Sequence, residues 1–304
     1  MAAVPRIQDL LTTEEMSHCL SRSNPRAAGM FVANWLIIAA AFALFALWPN
    51  PLTFITGAII LGGRQLGLAV LYHDCSHSVM FTSKRINELV GHWLAGGPLN
   101  TSLYAYRAYH LKHHQFAGTR DDPDLALALT YPTSGDSMKR KIWRDVTGQT
   151  GVKDIKRQFR KFGIKRNAPF VVTHLTMFAI LAACGVWWAY PLWWAGYLTA
   201  YQVITRLRFM GEHGVALDRL SLDPRDNTCT TRVRWWERLL IAPNYVNFHL
   251  EHHLTAGVPC YRLAHFHKLL SDQNYFDDKA CLSNGYAEVL RKATRPQTPL
   301  SAAA

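Results

Sequence analysis

The chain has 304 residues, 49% of them hydrophobic, and a net charge of +12 at neutral pH. The hydrophobic residues are concentrated in blocks, which favours a membrane domain over the buried helices of a soluble protein. The charge is compatible with RNA binding, but base-stacking and groove-reading motifs are missing, so nucleic acid is the weaker interpretation. The six cysteines form no CxxC pair, and we therefore expect no disulfide framework, as is usual in a reducing cytoplasm.

The chain begins with a polar segment that leads into the first apolar block. Residues 1–29 are mixed in charge and lack the apolar core of a signal peptide, which predicts a cytoplasmic segment. Residues 30–72 predict a first transmembrane hairpin, because residues 30–48 run for nineteen positions without a charge. That length is enough to cross a hydrocarbon layer of about 30 Å.

Residues 73–167 are predicted to be cytoplasmic, apart from one segment that dips into the membrane and returns. The dip covers residues 88–106, an apolar stretch that Gly96, Gly97 and Pro98 interrupt. Because an irregular backbone cannot face lipid, these breakers favour a re-entrant or interfacial segment over a full crossing.

The remaining elements complete a single membrane domain over residues 1–304. Residues 168–210 predict a second transmembrane hairpin, residues 211–290 a cytoplasmic cap, and residues 291–304 a flexible tail. The predicted fold is an all-α integral membrane protein with four transmembrane helices in two hairpins, a re-entrant segment and a cytoplasmic helical cap.

The charge distribution orients this domain. Residues 107–166 hold fourteen Lys and Arg, whereas the short turns at 49–51 and 189–191 hold none. Positive loops stay on the cytoplasmic side, where an anionic leaflet would hold them at its surface. With this orientation both termini and every histidine cluster are predicted to be cytoplasmic, in the plasma or inner membrane if the protein is bacterial.

The histidines form three groups with helical spacing. The groups read HDCSH at 73–77, HLKHH at 110–114 and HLEHH at 249–253. Positions i, i+3 and i+4 share one face of a helix, so each group presents its imidazoles together. An isolated group would favour structural histidines, but eight converging imidazoles would cost about 1–3 kcal/mol each without a partner.

A metal would remove that cost. Zinc prefers four ligands in structural sites, so eight or nine histidines favour two ions with four or five ligands each. Ligand type alone leaves iron, copper, zinc and nickel open.

The three groups, at these separations and between paired membrane helices, resemble the membrane fatty acid desaturase superfamily over residues 30 to about 270. The superfamily includes acyl desaturases, acetylenases and hydroxylases, with carotenoid ketolases and hydroxylases as relatives. The resemblance implies an oxidoreductase of lipid metabolism with two non-haem irons (Fe²⁺/Fe³⁺) and O2 as co-substrate. Such an enzyme removes hydrogen from an unactivated CH₂ of an acyl chain.

The resemblance also implies the ligand set, including a ninth histidine after the last membrane helix, which His213 matches. We expect no catalytic residue beyond the ligands, which are His73, His77, His110, His113, His114, His213, His249, His252 and His253. Phe209 departs from the family, because several acyl-CoA desaturases have an Asn there that holds a water at the metal. The residues that we expect to support the ligands are Asn247, Glu212, Asp121 and Asp124.

Fatty acyl desaturation is the predicted reaction, on a substrate carried by CoA, acyl carrier protein or phospholipid. The chain lacks the His-Pro-Gly-Gly signature of a fused haem domain, so the resemblance implies a separate electron donor such as ferredoxin or a haem protein. The competing predictions within the superfamily are a hydroxylase, ketolase or acetylenase acting on a carotenoid, sphingoid base or other lipid. A histidine-lined metal transporter is the competing prediction from another class, and it requires ligands at mid-membrane depth.

Overall fold

The computed structural model describes residues 6–160, 163–277 and 279–294, and within them the chain is mostly helical. Of the predicted flexible tail at 291–304, residues 291–294 instead form the end of a helix, and residues 295–304 lie outside the described residues. In chain order the helices are α1 Ile7–Leu10, α2 Thr13–Leu20, α3 Asn24–Leu47, α4 Pro51–His77, α5 Lys84–Val90, α6 Leu103–Phe116, α7 Leu125–Ala128, α8 Gly135–Val146, α9 Gln149–Phe159, α10 Ile164–Ala183, α11 Pro191–Ala195, α12 Tyr201–Phe209, α13 Pro224–Asn227, α14 Trp235–Leu240, α15 His249–Leu254, α16 Cys260–Asp272 and α17 Tyr286–Thr294. The two strands are β1 Cys229–Arg232 and β2 Cys281–Asn284.

The first hairpin is longer than the sequence predicts. Helices α3 and α4 are, among the described residues, the two that are long and apolar enough to cross a membrane. The Asn50 side chain caps α4 by accepting hydrogen bonds from the backbone N–H groups of Leu52 and Thr53. Nothing breaks the helix before Ser78, which adopts a left-handed conformation with φ 61°. The first histidine group thus lies on the last turns of α4 itself, not beyond a hairpin that ends at residue 72.

The second hairpin pairs α10 with a continuous helical run over residues 191–214. That run consists of α11, a π-helical segment at Gly196–Ala200, α12 and a second π-helical segment at Met210–Gly214. It therefore extends beyond the predicted end at residue 210 and carries His213 on its last turn. Whether these two helices cross the membrane remains a prediction.

The predicted dip is a broken helix. Helix α5 continues as a π-helical segment, Gly91–Gly96, and a short 3-10 turn, Gly97–Leu99, before Asn100 reverses the chain with φ 54°. The Asn167 side chain of α10 donates a 2.7 Å hydrogen bond to the Asn100 side chain. The segment thus packs against the start of the second hairpin, and the chain then turns into α6.

The region after residue 214 is not purely helical, so the all-α prediction is wrong in this detail. Strands β1 and β2 pair in parallel, with Cys229 opposite Cys281. These two cysteines form a buried disulfide, whereas we expected none. A pair separated by 52 residues leaves no local signal in the sequence. Four cysteines are free: Cys19, Cys75, Cys184 and Cys260.

Helix α4 is the central element of the molecule. Its inner half is buried on every side, with Leu66, Leu68 and Leu71 at 1% exposure or less. It packs against α3, α6, α12 and α14. This packing brings the end of α4 together with α6, α15 and the Met210–Gly214 segment.

Candidate metal centre

Four separate parts of the chain bring nine histidines into two groups. Within each group, one ring nitrogen of every histidine lies within 4.8 Å of those of the others. We call them cluster 1, which comprises His73, His77, His110, His114 and His252, and cluster 2, which comprises His113, His213, His249 and His253. These nine are the residues that the sequence predicts as ligands, and all of them are largely buried.

Helices α6 and α15 each contribute to both clusters, in opposite ways. On α6 the i, i+4 pair, His110 and His114, lies in cluster 1 and His113 in cluster 2. On α15 the pair His249 and His253 lies in cluster 2, and its third histidine lies in cluster 1. An i, i+4 pair is only about 40° apart around a helix, whereas i+3 points about 60° to the other side. Each helix therefore serves both clusters at once.

The ring nitrogens within each cluster approach one another directly. In cluster 1 the Nε2 of His114 lies 3.0 Å from that of His110 and 2.9 Å from that of His252. In cluster 2 the Nε2 of His249 lies 3.0 Å from that of His213. Metal–imidazole bonds of about 2.1 Å place neighbouring ligand nitrogens about 3 Å apart. The spacing therefore fits a cation held between the rings.

Two further nitrogens point to the same conclusion. The Nε2 atoms of His73 and His77 are buried and have no hydrogen-bond partner in the protein. A buried polar atom without a partner carries a substantial desolvation cost. A metal ion at cluster 1 would accept both lone pairs and remove that cost.

The electrostatics of the clusters favour the ligating form of histidine. Burial, followed by the neighbouring imidazoles, lowers the pKa of His114. The same causes hold the pKa values of His252 and His253 well below the usual range. These rings therefore stay neutral at pH 7 and keep the lone pair that a metal requires.

Two carboxylates contact the Nδ1 atoms of ligand rings, and neither is among the residues that the sequence predicts to support the ligands. Asp74 Oδ1 lies 2.9 Å from His73 Nδ1, and its Oδ2 accepts a hydrogen bond from the Cys260 backbone N–H. Asp122 Oδ1 lies 2.7 Å from His113 Nδ1. A carboxylate at Nδ1 fixes the tautomer and leaves Nε2 free for the metal. A signal was present for Asp74, which lies inside the first histidine group, whereas Asp122 follows the second group by eight residues.

The predicted aspartates flank this contact. Asp121 is exposed, and its backbone N–H donates to Thr119. Asp124 Oδ2 lies 3.7 Å from His113 Nδ1, and its Oδ1 accepts from the Tyr109 hydroxyl. Asp124 is therefore close to cluster 2, whereas the Asp121 side chain is exposed.

The other two predicted supporting residues also differ in position. Glu212 Oε1 lies 3.6 Å from His249 Nδ1 and forms an ion pair with Arg208. The Asn247 side chain donates to the Thr231 carbonyl, 3.0 Å away, which ties the third histidine group to β1. Glu212 thus approaches a ligand, and Asn247 acts on the backbone next to it.

Glu251 anchors α15 from the side opposite the clusters. It is fully buried, and its Oε1 pairs with His267 Nδ1 of α16. Its Oε2 accepts a hydrogen bond from the Thr230 hydroxyl of β1. The spacing HLEHH shows only that Glu251 points away from the three histidines of its own group. The residues that Glu251 contacts could therefore not be predicted.

The comparisons with known proteins agree with this geometry. Residues 49–283 match the family model described as fatty acid desaturase. The dihydrorhizobitoxine desaturase of Bradyrhizobium elkanii is 24% identical over 89% of this chain and 83% of its own length. The sn-1 oleoyl-lipid 12-desaturase of a Picosynechococcus strain is 24% identical, over 85% of this chain and 80% of the relative. The beta-carotene ketolase of a Paracoccus strain is 26% identical, over 81% of this chain and 95% of the relative.

The family model covers most of the chain, and the matched region contains every histidine of both clusters. The chain therefore belongs to the fatty acid desaturase family.

Proposed function

We propose that the protein is a membrane-bound, O2-dependent diiron oxidoreductase that desaturates a fatty acyl chain of a lipid. The observation that carries the proposal is the division of nine histidines into two adjacent clusters, of five and four members. Two ions with four or five imidazole ligands each match that division, and family membership favours iron among the metals that imidazole suits.

In this proposal cluster 1 holds one iron and cluster 2 the other. When bound, the irons, cycling between Fe²⁺ and Fe³⁺, supply the activation of O2. Each turnover takes two hydrogens from adjacent carbons, and O2 takes up those hydrogens with two electrons and two protons to give two waters. Asp74 and Asp122 keep the rings of His73 and His113 oriented, so that the ligand set is formed before substrate arrives.

The chain's own contribution to selectivity is positioning. A saturated chain offers many similar CH₂ groups, so the enzyme has to hold one of them beside the irons. We propose that the two hairpins and the broken segment between α5 and α6 line the path of the acyl chain. A relative whose name specifies an oleoyl-lipid supports an acyl-lipid substrate. CoA and acyl carrier protein are the other carriers to test.

We place the protein in the membrane as a multi-pass enzyme. Helices α3 and α4 cross as the first hairpin, and α10 and the run at 191–214 cross as the second. Both termini and both clusters then lie on the cytoplasmic side, where the basic residues are concentrated. A separate ferredoxin or haem protein delivers the electrons from that side.

A second candidate reaction is oxidation of a carotenoid ring. The Paracoccus ketolase matches over almost its whole length, which favours ring oxidation over acetylenation or the oxidation of a sphingoid base. The metal-transporter hypothesis has less support. Both clusters lie where α4 and the run at 191–214 end, whereas a transporter would need ligands in the middle of its membrane-crossing helices.

Lipid analysis of cells that produce the protein tests the proposal. We expect acyl chains with an additional double bond, located by mass spectrometry, in cells with the native chain and none in cells with His252→Ala. With an unchanged double-bond profile, hydroxylated acyl chains would identify a hydroxylase instead, and altered carotenoids would identify a carotenoid oxygenase. No change in any lipid, with iron bound and an electron donor present, would contradict the proposal.

A further inference from the structure

Helices α8 and α9 form a basic surface that the metal centre does not use. We define the α8–α9 surface by seven of the exposed side chains, which are Lys139, Arg140, Trp143, Arg144, Val152, Lys153 and Lys156. Trp143 is 65% exposed and Val152 is 43% exposed. The exposed acidic residue on these two helices is Asp136, which lies 3.7 Å from Lys139.

The other two acidic residues of these helices, Asp145 and Asp154, point inward instead. Asp145 is fully buried and forms an ion pair with Arg206 of α12. Asp154 of α9 accepts a 2.9 Å hydrogen bond from the Tyr197 hydroxyl. These contacts with the second hairpin fix which side of α8 and α9 faces outward. The outward side therefore carries cations together with Trp143, Val146 and Val152 in a fixed arrangement.

The backbone of α9 lies directly against the second hairpin. A Cβ atom at Gly151 would lie 2.6 Å from the Cα atom of Leu198, so only a glycine permits this approach. Two residues further along, the run packs against α4 just as closely, since a Cβ at Gly62 would lie 2.6 Å from the Ala200 Cβ. Helix α9 is therefore attached to the bundle near the level of Gly62.

Helix α14 is attached at the same level on α4. A Cβ at Gly63, next to Gly62, would lie 2.7 Å from the Leu240 carbonyl oxygen of α14. Helix α14 also exposes aromatic side chains, with Trp235 at 79% and Trp236 at 38% exposure. Exposed Trp beside Lys and Arg is typical of protein segments in the headgroup layer of a membrane. Helix α14 and the α8–α9 pair thus share the composition of segments that lie at a membrane interface.

We propose that the α8–α9 surface lies in the headgroup layer and binds the phosphates of anionic phospholipids. Lys139, Arg140, Lys153 and Lys156 contact the phosphates, and Trp143 and Val152 reach the acyl boundary. The inference rests on the membrane placement proposed above. An acidic protein would also fit the cations, but the interleaved apolar side chains and the attachment to the hairpin favour lipid.

A depth measurement tests the location of the surface. The full chain with Cys184→Ser is labelled with a bimane probe at Val152→Cys and reconstituted in nanodiscs that contain brominated phosphatidylcholine. Two controls carry the same probe, at Leu36→Cys, an exposed position on α3, and at Lys268→Cys, an exposed position near the end of α16. We expect the probes at 152 and 36 to be quenched at least about twice as strongly as the probe at 268.

A composition measurement tests the headgroup preference. Lys139, Arg140, Lys153 and Lys156 are replaced together by Gln, which removes four charges and no buried contact. We expect the native chain to enrich phosphatidylglycerol over phosphatidylcholine in its lipid shell, as measured by lipid mass spectrometry. In the variant this enrichment should be lower by a factor of about five or more, because each surface cation contributes to the attraction for anionic lipid.

The controls separate the possible failures. If the probe at 36 is quenched and the probe at 152 is not, the inference is wrong and the membrane placement stands. If neither is quenched, the membrane placement itself fails. A probe at 152 that responds only to an added acidic electron carrier would assign the surface to a protein partner and overturn the inference. Equal enrichment in the native chain and the variant would overturn the headgroup preference.

Discussion

The imidazole of His113 joins Asp122 to cluster 2. Asp122 Oδ1 lies 2.7 Å from His113 Nδ1, and the opposite nitrogen of the same ring lies 3.3 Å from His253 Nε2. The carboxylate therefore determines which nitrogen carries the proton and holds the other towards the proposed metal. Asp74 does the same for His73 in cluster 1.

Replacing Asp122 tests this arrangement. We expect Asp122→Asn to lower activity or iron affinity by about 10–100-fold, because the amide cannot hold the His113 ring as a carboxylate does. The matched control is Asp121→Asn, one residue away on the exposed side, which should behave as the native chain does. Iron titration and turnover on membranes measure both. A comparable loss in the two variants would show that Asp122 has no specific role.

The buried histidines predict a pH dependence of stability. Burial lowers the pKa values of His114, His252 and His253, so the unfolded chain binds protons on these rings at a higher pH than the folded chain does. The contribution of these neutral rings to the stability of the folded state is therefore complete above the pKa of about 6.5 that histidine has in the unfolded chain. It is lost as the pH falls below that value. Melting temperature and retained iron, measured from pH 8 down to pH 4, should be level at first and then fall together. A protein that becomes more stable on acidification would contradict this assignment.

The close approach of α9 to the second hairpin predicts the effect of a small substitution. Gly151→Ala places a methyl group against the Leu198 backbone, which cannot move aside as a flexible side chain would. We expect a loss of about 1–3 kcal/mol in stability, as overpacking typically costs. Gly135→Ala is the control, since nothing lies within 4 Å of a Cβ there. Unfolding in detergent should distinguish the two variants, and equal midpoints would contradict the packing.

Much of the site could be predicted from local spacing alone. The pattern i, i+3, i+4 identifies which histidines share a helix face, and the apolar blocks identify α3 and α4. The same pattern cannot show that His113 and His252 belong to a different cluster from the other two histidines of their own helix. That assignment depends on how α6 and α15 pack together. The roles of Asp74 and Asp122 depend on ring orientation, which the sequence does not encode locally.

Long-range pairing explains the other differences. The β1–β2 pair and the disulfide between Cys229 and Cys281 join segments that are 52 residues apart. Each strand has only four residues, too few for a clear alternating pattern. Glu251 likewise finds His267 only because α16 packs beside α15. The first and second hairpins also extend past their predicted ends at residues 72 and 210. An apolar block shows which part of a helix can face lipid, but the hydrogen-bonded helix can continue into polar residues.

The metal content of each cluster tests the central claim most directly. Elemental analysis of the purified protein should give about two irons per chain, one for each set of imidazoles. The pair His77→Ala and His114→Ala in cluster 1, and separately the pair His249→Ala and His253→Ala in cluster 2, should each leave about one iron. His265→Ala, an exposed histidine outside both clusters, should retain both irons. A native chain that holds a single zinc, or cluster variants that keep the full iron content, would contradict the account.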